Sequence, residues 1–251
     1  MTIRLIAAIR SPPMFEVAAI MPAYNEEACV EDTVRACVAA LADTGESFRV
    51  FVLDDGSTDC TPNVLRRFAG DPCVEVLRKE NSGHGPTILA GYRHVAHRAR
   101  WVFQLDSDDE VPAANFAALW AVRHCTDAIV GVRAQRRQPL FRCLVTRGSR
   151  LAVRLLYGNA VADVNCPFRL IRGEVLVRFI DRIPADTFAP NVVVSGFLAK
   201  EGYRVANVVV PVASRATKTA ALKGWKAVAT GLLALQQTVA IRRNARVSAR
   251  G

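Results

Sequence analysis

The sequence predicts an α/β fold, a mostly parallel sheet with helices on both faces. Three observations lead there. Short apolar runs alternate with helix-like segments through the first half of the chain. Those runs are almost continuously apolar, as in strands buried on two faces, where a half-exposed strand would alternate. And 51% of the 251 residues are hydrophobic, enough to fill a substantial core within the size of one α/β domain.

Each element has its own reason. Val17–Met21 reads as a strand ended by Pro22, and Asn25–Leu41 as a helix with Asn25 as its cap and acids in the first turns. Arg49–Leu53 is a second strand, carried by Val50, Phe51 and Val52. Thr61–Phe68 is a helix with Pro62 in its first turn. Val74–Leu77, Pro86–His97, Trp101–Leu105 and Pro112–Cys125 continue the alternation as strand, helix, strand, helix. Ala128–Val132 is a further strand, Phe141–Tyr157 has helical spacing through Leu144, Leu151 and Leu155, and Gly202–Val212 supplies a last strand or strand pair. Residues 1–219 are read as one domain. Residues 220–251 are read as an amphipathic basic helix and tail.

Charge divides the chain. Residues 1–127 hold twelve Lys/Arg against eighteen Asp/Glu, a net of −6, and residues 128–251 hold twenty-one against five, a net of +16. The first half suits cations, and the second suits a phosphate or an anionic surface. The seven cysteines form no CxxC pair, so the spacing suggests neither a disulfide framework nor a zinc site, and a reduced cytoplasmic setting is expected. Met1–Arg10 is a poor signal peptide. No stretch reaches the roughly 18–20 uninterrupted apolar residues of a membrane span; Ala227–Ile241 is broken by Thr230, Gln236, Gln237 and Thr238.

In parallel sheets the ligand site lies beyond the carboxyl ends of the strands, and here those ends carry acids. Asp54-Asp55-Gly56-Ser57-Thr58-Asp59 follows the second strand, and Asp106-Ser107-Asp108-Asp109-Glu110 follows the fourth. Crowded carboxylates repel one another unless a cation offsets them, and hard cations such as Mg²⁺ or Mn²⁺ take one or two carboxylates plus phosphate oxygens. One such cluster is equally well read as helix-start residues. Two at successive strand ends favour the cation.

Four motifs in order now resemble those of family 2 glycosyltransferases with the GT-A (Rossmann-like) fold: Pro22-Ala23-Tyr24-Asn25-Glu26, Asp54 to Asp59, Asn81-x-Gly83-x-Gly85, and Asp106-Ser107-Asp108. The resemblance spans about Val17 to Val212. It implies that Pro22, Ala23, Tyr24 and Glu26 line a uridine or guanosine pocket, and that Asp54 and Asp55 contact base and ribose. It implies that Asn81 and Gly83 pass close to the donor, and that Asp106 and Asp108 meet the donor diphosphate through the metal. Gly131-Val132-Arg133, Thr146-Arg147-Gly148 and Asp163-x-x-Cys166-Pro167-Phe168-Arg169 look like stretches of the dolichol-phosphate mannosyltransferase subgroup. Members of that subgroup move a sugar from GDP- or UDP-sugar to a polyprenyl phosphate. This implies Glu110 as a third metal contact, Arg133 and Arg147 as catalytic acceptor-phosphate arginines, and Arg215 as a late phosphate contact. The chain departs from the subgroup at Ala216-Thr217-Lys218-Thr219, where Gly-x-Ser is usual, and at Cys166-Pro167, where Ser-Gly is more common.

The residues themselves agree with a phosphate acceptor. Seven arginines and no acids lie between Ala128 and Ala162, and Arg suits bidentate phosphate contacts. A hydroxyl acceptor needs a general base; the candidates outside the acidic clusters are Asp127, Asp163, Glu174, Asp181, Asp186 and Glu201. The expected function is inverting transfer to polyprenyl phosphate at the inner face of the plasma membrane. The alternatives are transfer to a saccharide or other hydroxyl, and a non-catalytic protein binding anions or membrane. No nucleic-acid recognition motif is present. A lone loop histidine such as His84 is ordinarily solvent-facing, and Cys166 is read as a packing residue. Trp225, Val228, Leu232, Leu235 and Val239 form a stripe for which a membrane surface, the chain's own domain and a second subunit are equal readings.

Overall fold

A computed structural model of the chain describes residues 13–134 and 160–213. The expected helix at 141–157, Arg147, Arg215 and the basic segment 220–251 lie outside the described residues. In chain order the described elements are β1 (Phe15–Ala23), α1 (Val30–Ala42), β2 (Phe48–Asp54), α2 (Thr61–Leu65), β3 (Val74–Arg78), α3 (His84–Val95) and β4 (Ala99–Gln104). There follow α4 (Phe116–Ala121), β5 (Ala128–Arg133), β6 (Arg169–Arg172), α5 (Gly173–Val177), α6 (Pro190–Lys200) and β7 (Val205–Val210).

The strands form one sheet in the order β3-β2-β1-β4-β6-β5-β7. Neighbours pair in parallel except β6, which runs against both β4 and β5. The mostly parallel α/β sheet expected from the sequence is therefore present, with one reversed strand that was not expected. Period-2 side-chain alternation divides the core between the two faces. Ala19, Met21, Val50 and Val52 pack with α1 and α4 on one side, and Ala18, Ile20, Phe51 and Leu53 pack with α3, α5 and α6 on the other. In register, Ala23 stands opposite Asp54, and Ile20 opposite Gln104, so β1, β2 and β4 all end on one rim.

Three local expectations are corrected. Asn25 does not cap a helix: α1 begins at Val30, and Asn25 sits at φ 57° with its side chain turned to another loop. The helix expected over Pro112–Cys125 breaks into a 3-10 turn, α4 and a second 3-10 turn. Arg123 contributes to that break, because its Nη1 donates to the Trp120 carbonyl at 2.7 Å while its guanidinium stacks on the indole at 3.8 Å. That carbonyl is the one a continued helix would use for the amide of residue 124. Finally, β6, α5 and α6 were not foreseen. Arginines at both ends of Arg169-Leu170-Ile171-Arg172 disguise a buried strand. Arg169 is fully buried, and its guanidinium donates to the carbonyls of Val164, Cys166 and Asn191 and to Ser195 Oγ. Among the described residues no helix is long and apolar enough to cross a membrane.

Candidate active site

The rim where β1, β2 and β4 end holds a cleft of about 290 Å³. The exit of β1 lines it with Pro22, Ala23, Tyr24 and Glu26, and the exit of β2 with Asp55. The turn into α3 adds Asn81, Gly83, His84 and Thr87, and the exit of β4 adds Asp106, Ser107 and Asp108. Nine of the residues expected at the site thus converge, and His84, read from the sequence as ordinarily solvent-facing, joins them. Thr87 and Ser107 were not singled out, although Ser107 is the middle residue of the Asp-x-Asp signal.

Two loops are stitched together to shape the wall. Asn25 Oδ1 accepts the Thr58 amide at 2.8 Å, Ser57 Oγ accepts the Asn25 amide at 3.0 Å, and Thr61 Oγ1 accepts the Glu26 amide at 2.8 Å. Glu27 Oε2 accepts the Cys60 amide at 2.8 Å. Asn tolerates the left-handed backbone at residue 25 better than most residues. The acid-rich stretch after β2 therefore serves partly to hold the loop after β1, through its hydroxyl and amide groups.

The adjacent aspartates after β2 do different things. Asp54 does not line the cleft; it is buried, accepts the Ser57 amide at 2.9 Å and faces Arg78 at 3.5 Å. Asp55 faces the cleft and fixes the turn before α3. Its Oδ1 accepts the Ser82 amide at 2.9 Å, its Oδ2 the Gly83 amide at 2.8 Å, and Lys79 pairs with it. Burial alone would raise the Asp55 pKa, but Lys79, the Ser82 and Gly83 amides and Thr87 outweigh it and hold the carboxyl below its ordinary value. The glycines of this turn were expected to admit the donor. Gly83 sits at φ 95°, and a side chain at Gly85 would meet the backbone carbonyls of Thr187 and Phe188 at 2.5 Å. Gly85 is thus required by the chain's own loop before α6.

At the end of β4 the balance is reversed. Asp106 keeps 23% of its side chain exposed to the cleft, yet its Oδ1 is buried and accepts no hydrogen bond among the described residues. His84 Nε2 is 3.6 Å from that oxygen. Burial, with Asp108 and Glu110 adding to it, pushes the Asp106 carboxyl up to about 6, against the opposing pull of His84 and Arg133. A buried carboxylate oxygen that accepts no hydrogen bond, beside a second carboxylate, suits a divalent cation that completes its shell with substrate oxygens. Asp106 and Asp108 fit that role. Glu110, expected as a third ligand, is close enough for its charge to act on Asp106, but its carboxylate faces Arg133 at 3.5 Å. Among the described residues no group of three or more His, Cys, Asp or Glu side chains is assembled for a metal ion.

Arg133 ends β5 outside the cleft lining. Its Nε and Nη2 donate to the two carboxylate oxygens of Asp163 at 3.0 and 3.2 Å. Burial would lower the Arg133 pKa, but Asp163 more than offsets it and the guanidinium stays charged. The other carboxylates considered as bases are away from the cleft. Asp127 pairs with Arg204 and Arg172, Asp181 with Arg93 and Glu201 with Arg182. Asp163 as Arg133's partner was not foreseen, because the two lie 30 residues apart, one at the end of β5 and the other in the segment before β6.

Residues 18–177 match the family described as Glycosyl transferase family 2. The undecaprenyl-phosphate 4-deoxy-4-formamido-L-arabinose transferase of Klebsiella pneumoniae subsp. pneumoniae is 28% identical over 183 residues, covering 71% of this chain and 55% of that protein. The transferase of the same description from Pseudomonas aeruginosa is 30% identical over 189 residues, covering 74% and 55%. The chain spans about half the length of the curated relatives it matches. Among solved structures, a mannosyltransferase from Pyrobaculum calidifontis in complex with GDP-Man and Mn²⁺ superposes with a TM-score of 0.58 at 19% identity, covering 94% of this chain and 77% of that one. Glucosyl-3-phosphoglycerate synthase from Mycobacterium tuberculosis does so with a TM-score of 0.63 at 18% identity, covering 90% and 80%. These likenesses are of fold, and the fold is GT-A. With the family match covering most of the sheet and every wall of the cleft, the chain belongs to glycosyl transferase family 2.

Proposed function

We propose that this chain carries an inverting glycosyltransferase that moves a sugar from a GDP- or UDP-linked donor to a polyprenyl phosphate, with Mg²⁺ or Mn²⁺ held by Asp106 and Asp108. The observation that carries the donor half is the buried Oδ1 of Asp106, which accepts no hydrogen bond among the described residues, set in a cleft with Asp108 and the Pro22–Glu26 loop. A divalent ion bound there supplies positive charge to the diphosphate leaving group.

The chain's own residues do the rest. Pro22, Ala23, Tyr24 and Glu26 receive the nucleoside, with Asp55 and Asn81 beneath it. The first turn of α3 opens on the cleft through Gly83, His84 and Thr87, and its dipole favours the donor's phosphates. Attack comes from the face opposite the leaving group, which inverts the anomeric carbon. A phosphate acceptor is already an anion and needs no base. This fits a cleft whose only carboxylates among the described residues are Glu26, Asp55, Asp106 and Asp108. By resemblance, Arg133, Arg147 and Arg215 hold the acceptor phosphate. The undecaprenyl-phosphate transferases that this chain resembles support the same acceptor class. The net charge of +16 over residues 128–251 suits an anionic acceptor in a lipid surface at the inner face of a membrane.

A thermal-shift panel of nucleoside diphosphates and their sugars, with and without Mn²⁺ or Mg²⁺, tests the donor half. One nucleotide should stabilise the protein in a metal-dependent way, and Asp106→Asn and Asp108→Asn should abolish the shift. Stabilisation that ignores both metal and these substitutions rules the reading out. Transfer to undecaprenyl phosphate against free saccharide acceptors tests the other half.

A further inference from the structure

We infer that Asp163 is the positioning residue of the acceptor side: it fixes the guanidinium plane of Arg133 so that Nη1 is presented to an anionic oxygen. This rests on the acceptor reading of Arg133 given above and adds a residue to it. Of the five N–H groups of an arginine, Asp163 takes Nε–H at 3.0 Å and one Nη2–H at 3.2 Å. That fork leaves both hydrogens of Nη1 on the far corner. The carboxylate of Glu110 stands there at 3.5 Å, which marks the corner as one an anionic oxygen can reach.

Asp163 can hold an arginine still only if it is itself held, and the loop that bears it is fixed from three directions. The Ala162 amide donates to Asn207 Oδ1 of β7 at 2.8 Å, and Asn207 Nδ2 returns to the Ala160 carbonyl at 3.0 Å. Buried Arg169 gathers the carbonyls of Val164 and Cys166 and ties them to α6 through Asn191 and Ser195. The Gly131 amide donates to the Phe168 carbonyl at 2.8 Å, two residues before Arg133 on the same strand, where a side chain would meet that carbonyl at 2.9 Å. The Asp163 side chain is 9% exposed and that of Arg133 29%. An exposed arginine surrenders much rotamer freedom when it grips a phosphate. One already forked against a buried carboxylate has surrendered it in advance.

The test is a double-mutant cycle on transfer to undecaprenyl phosphate in detergent micelles. Asp163→Asn should raise the acceptor KM about tenfold, with donor KM and nucleotide affinity unchanged. In an Arg133→Ala background the same substitution should add less than about twofold, because its partner is gone. Arg133→Lys, which keeps the charge but cannot fork, should match Asp163→Asn and remain as the readout should Asp163→Asn unfold. If Arg133→Ala raises the acceptor KM while Asp163→Asn does not, or if the two effects multiply, Asp163 does not act through Arg133 and the inference is overturned. If Arg133→Ala itself leaves the acceptor KM unchanged, the acceptor assignment falls first and takes this inference with it.

Discussion

Asp55 Oδ2 accepts the Gly83 amide at 2.8 Å, so the tip of β2 fixes the turn that opens α3, 28 residues further along the chain. The same carboxylate holds the Ser82 amide and Lys79. Asp55→Ala strands these donors and should cost about 2–4 kcal/mol in urea unfolding at pH 7. Because the folded pKa of Asp55 is held below 3.8, its contribution is complete above that value and is lost as pH falls through the folded one. The gap between wild type and variant should therefore narrow on acidification below pH 3.8.

Asp106 should behave in the opposite sense. Its carboxyl is raised from 3.8 to about 6, so the folded state holds its proton more tightly than the unfolded chain. Stability without metal should fall as pH rises through that window. In chelator at pH 8, Asp106→Asn should be more stable than wild type by about 1–3 kcal/mol, and the gain should vanish near pH 4. Adding Mn²⁺ and nucleotide should reverse the ranking. A variant less stable than wild type in chelator at pH 8 counts against a strained carboxylate.

Gly85→Ala places a methyl group 2.5 Å from the Thr187 and Phe188 carbonyls, both of them backbone. Neither can yield without moving the loop before α6. A loss of about 1–3 kcal/mol in denaturant midpoint is expected, with weakened nucleotide binding because His84 and Gly83 shift with the helix start.

Asn25 separates side-chain bonding from backbone conformation. Asn25→Gly keeps the φ of 57° available but loses the acceptor for the Thr58 amide, costing about 0.5–1.5 kcal/mol. Asn25→Ala loses that and adds roughly 1 kcal/mol of left-handed strain. Both should raise the donor KM more than they lower kcat, and Ala should be the less stable of the two.

The donor half of the molecule was readable because its signals are local. Apolar runs such as Val50-Phe51-Val52 announce strands, and short acidic motifs sit at their ends. The acceptor half depends on long-range pairing. Arg169 reads as a surface charge until the carbonyls of Val164, Cys166 and Asn191 surround it, and Asp163 reads as a candidate base until Arg133 takes both its oxygens. Asn25 misled for a related reason: the residue types that begin helices also cap loops, and only the fold decides which amide they meet. Asp54 and Asp55 are chemically identical neighbours, and the pleat alone sends one inward and the other to the cleft.

The reversed direction of β6 has a consequence for how this rim is furnished. A forward strand in that slot would bring its departing loop to the working edge and leave its arriving loop on the opposite side. Turned around, β6 delivers the arriving segment 160–168 there instead, between the tips of β4 and β5. Changes in the length or make-up of that segment can therefore retune the neighbourhood of Arg133 while the strands beneath Asp55 and Asp106 keep their alignment.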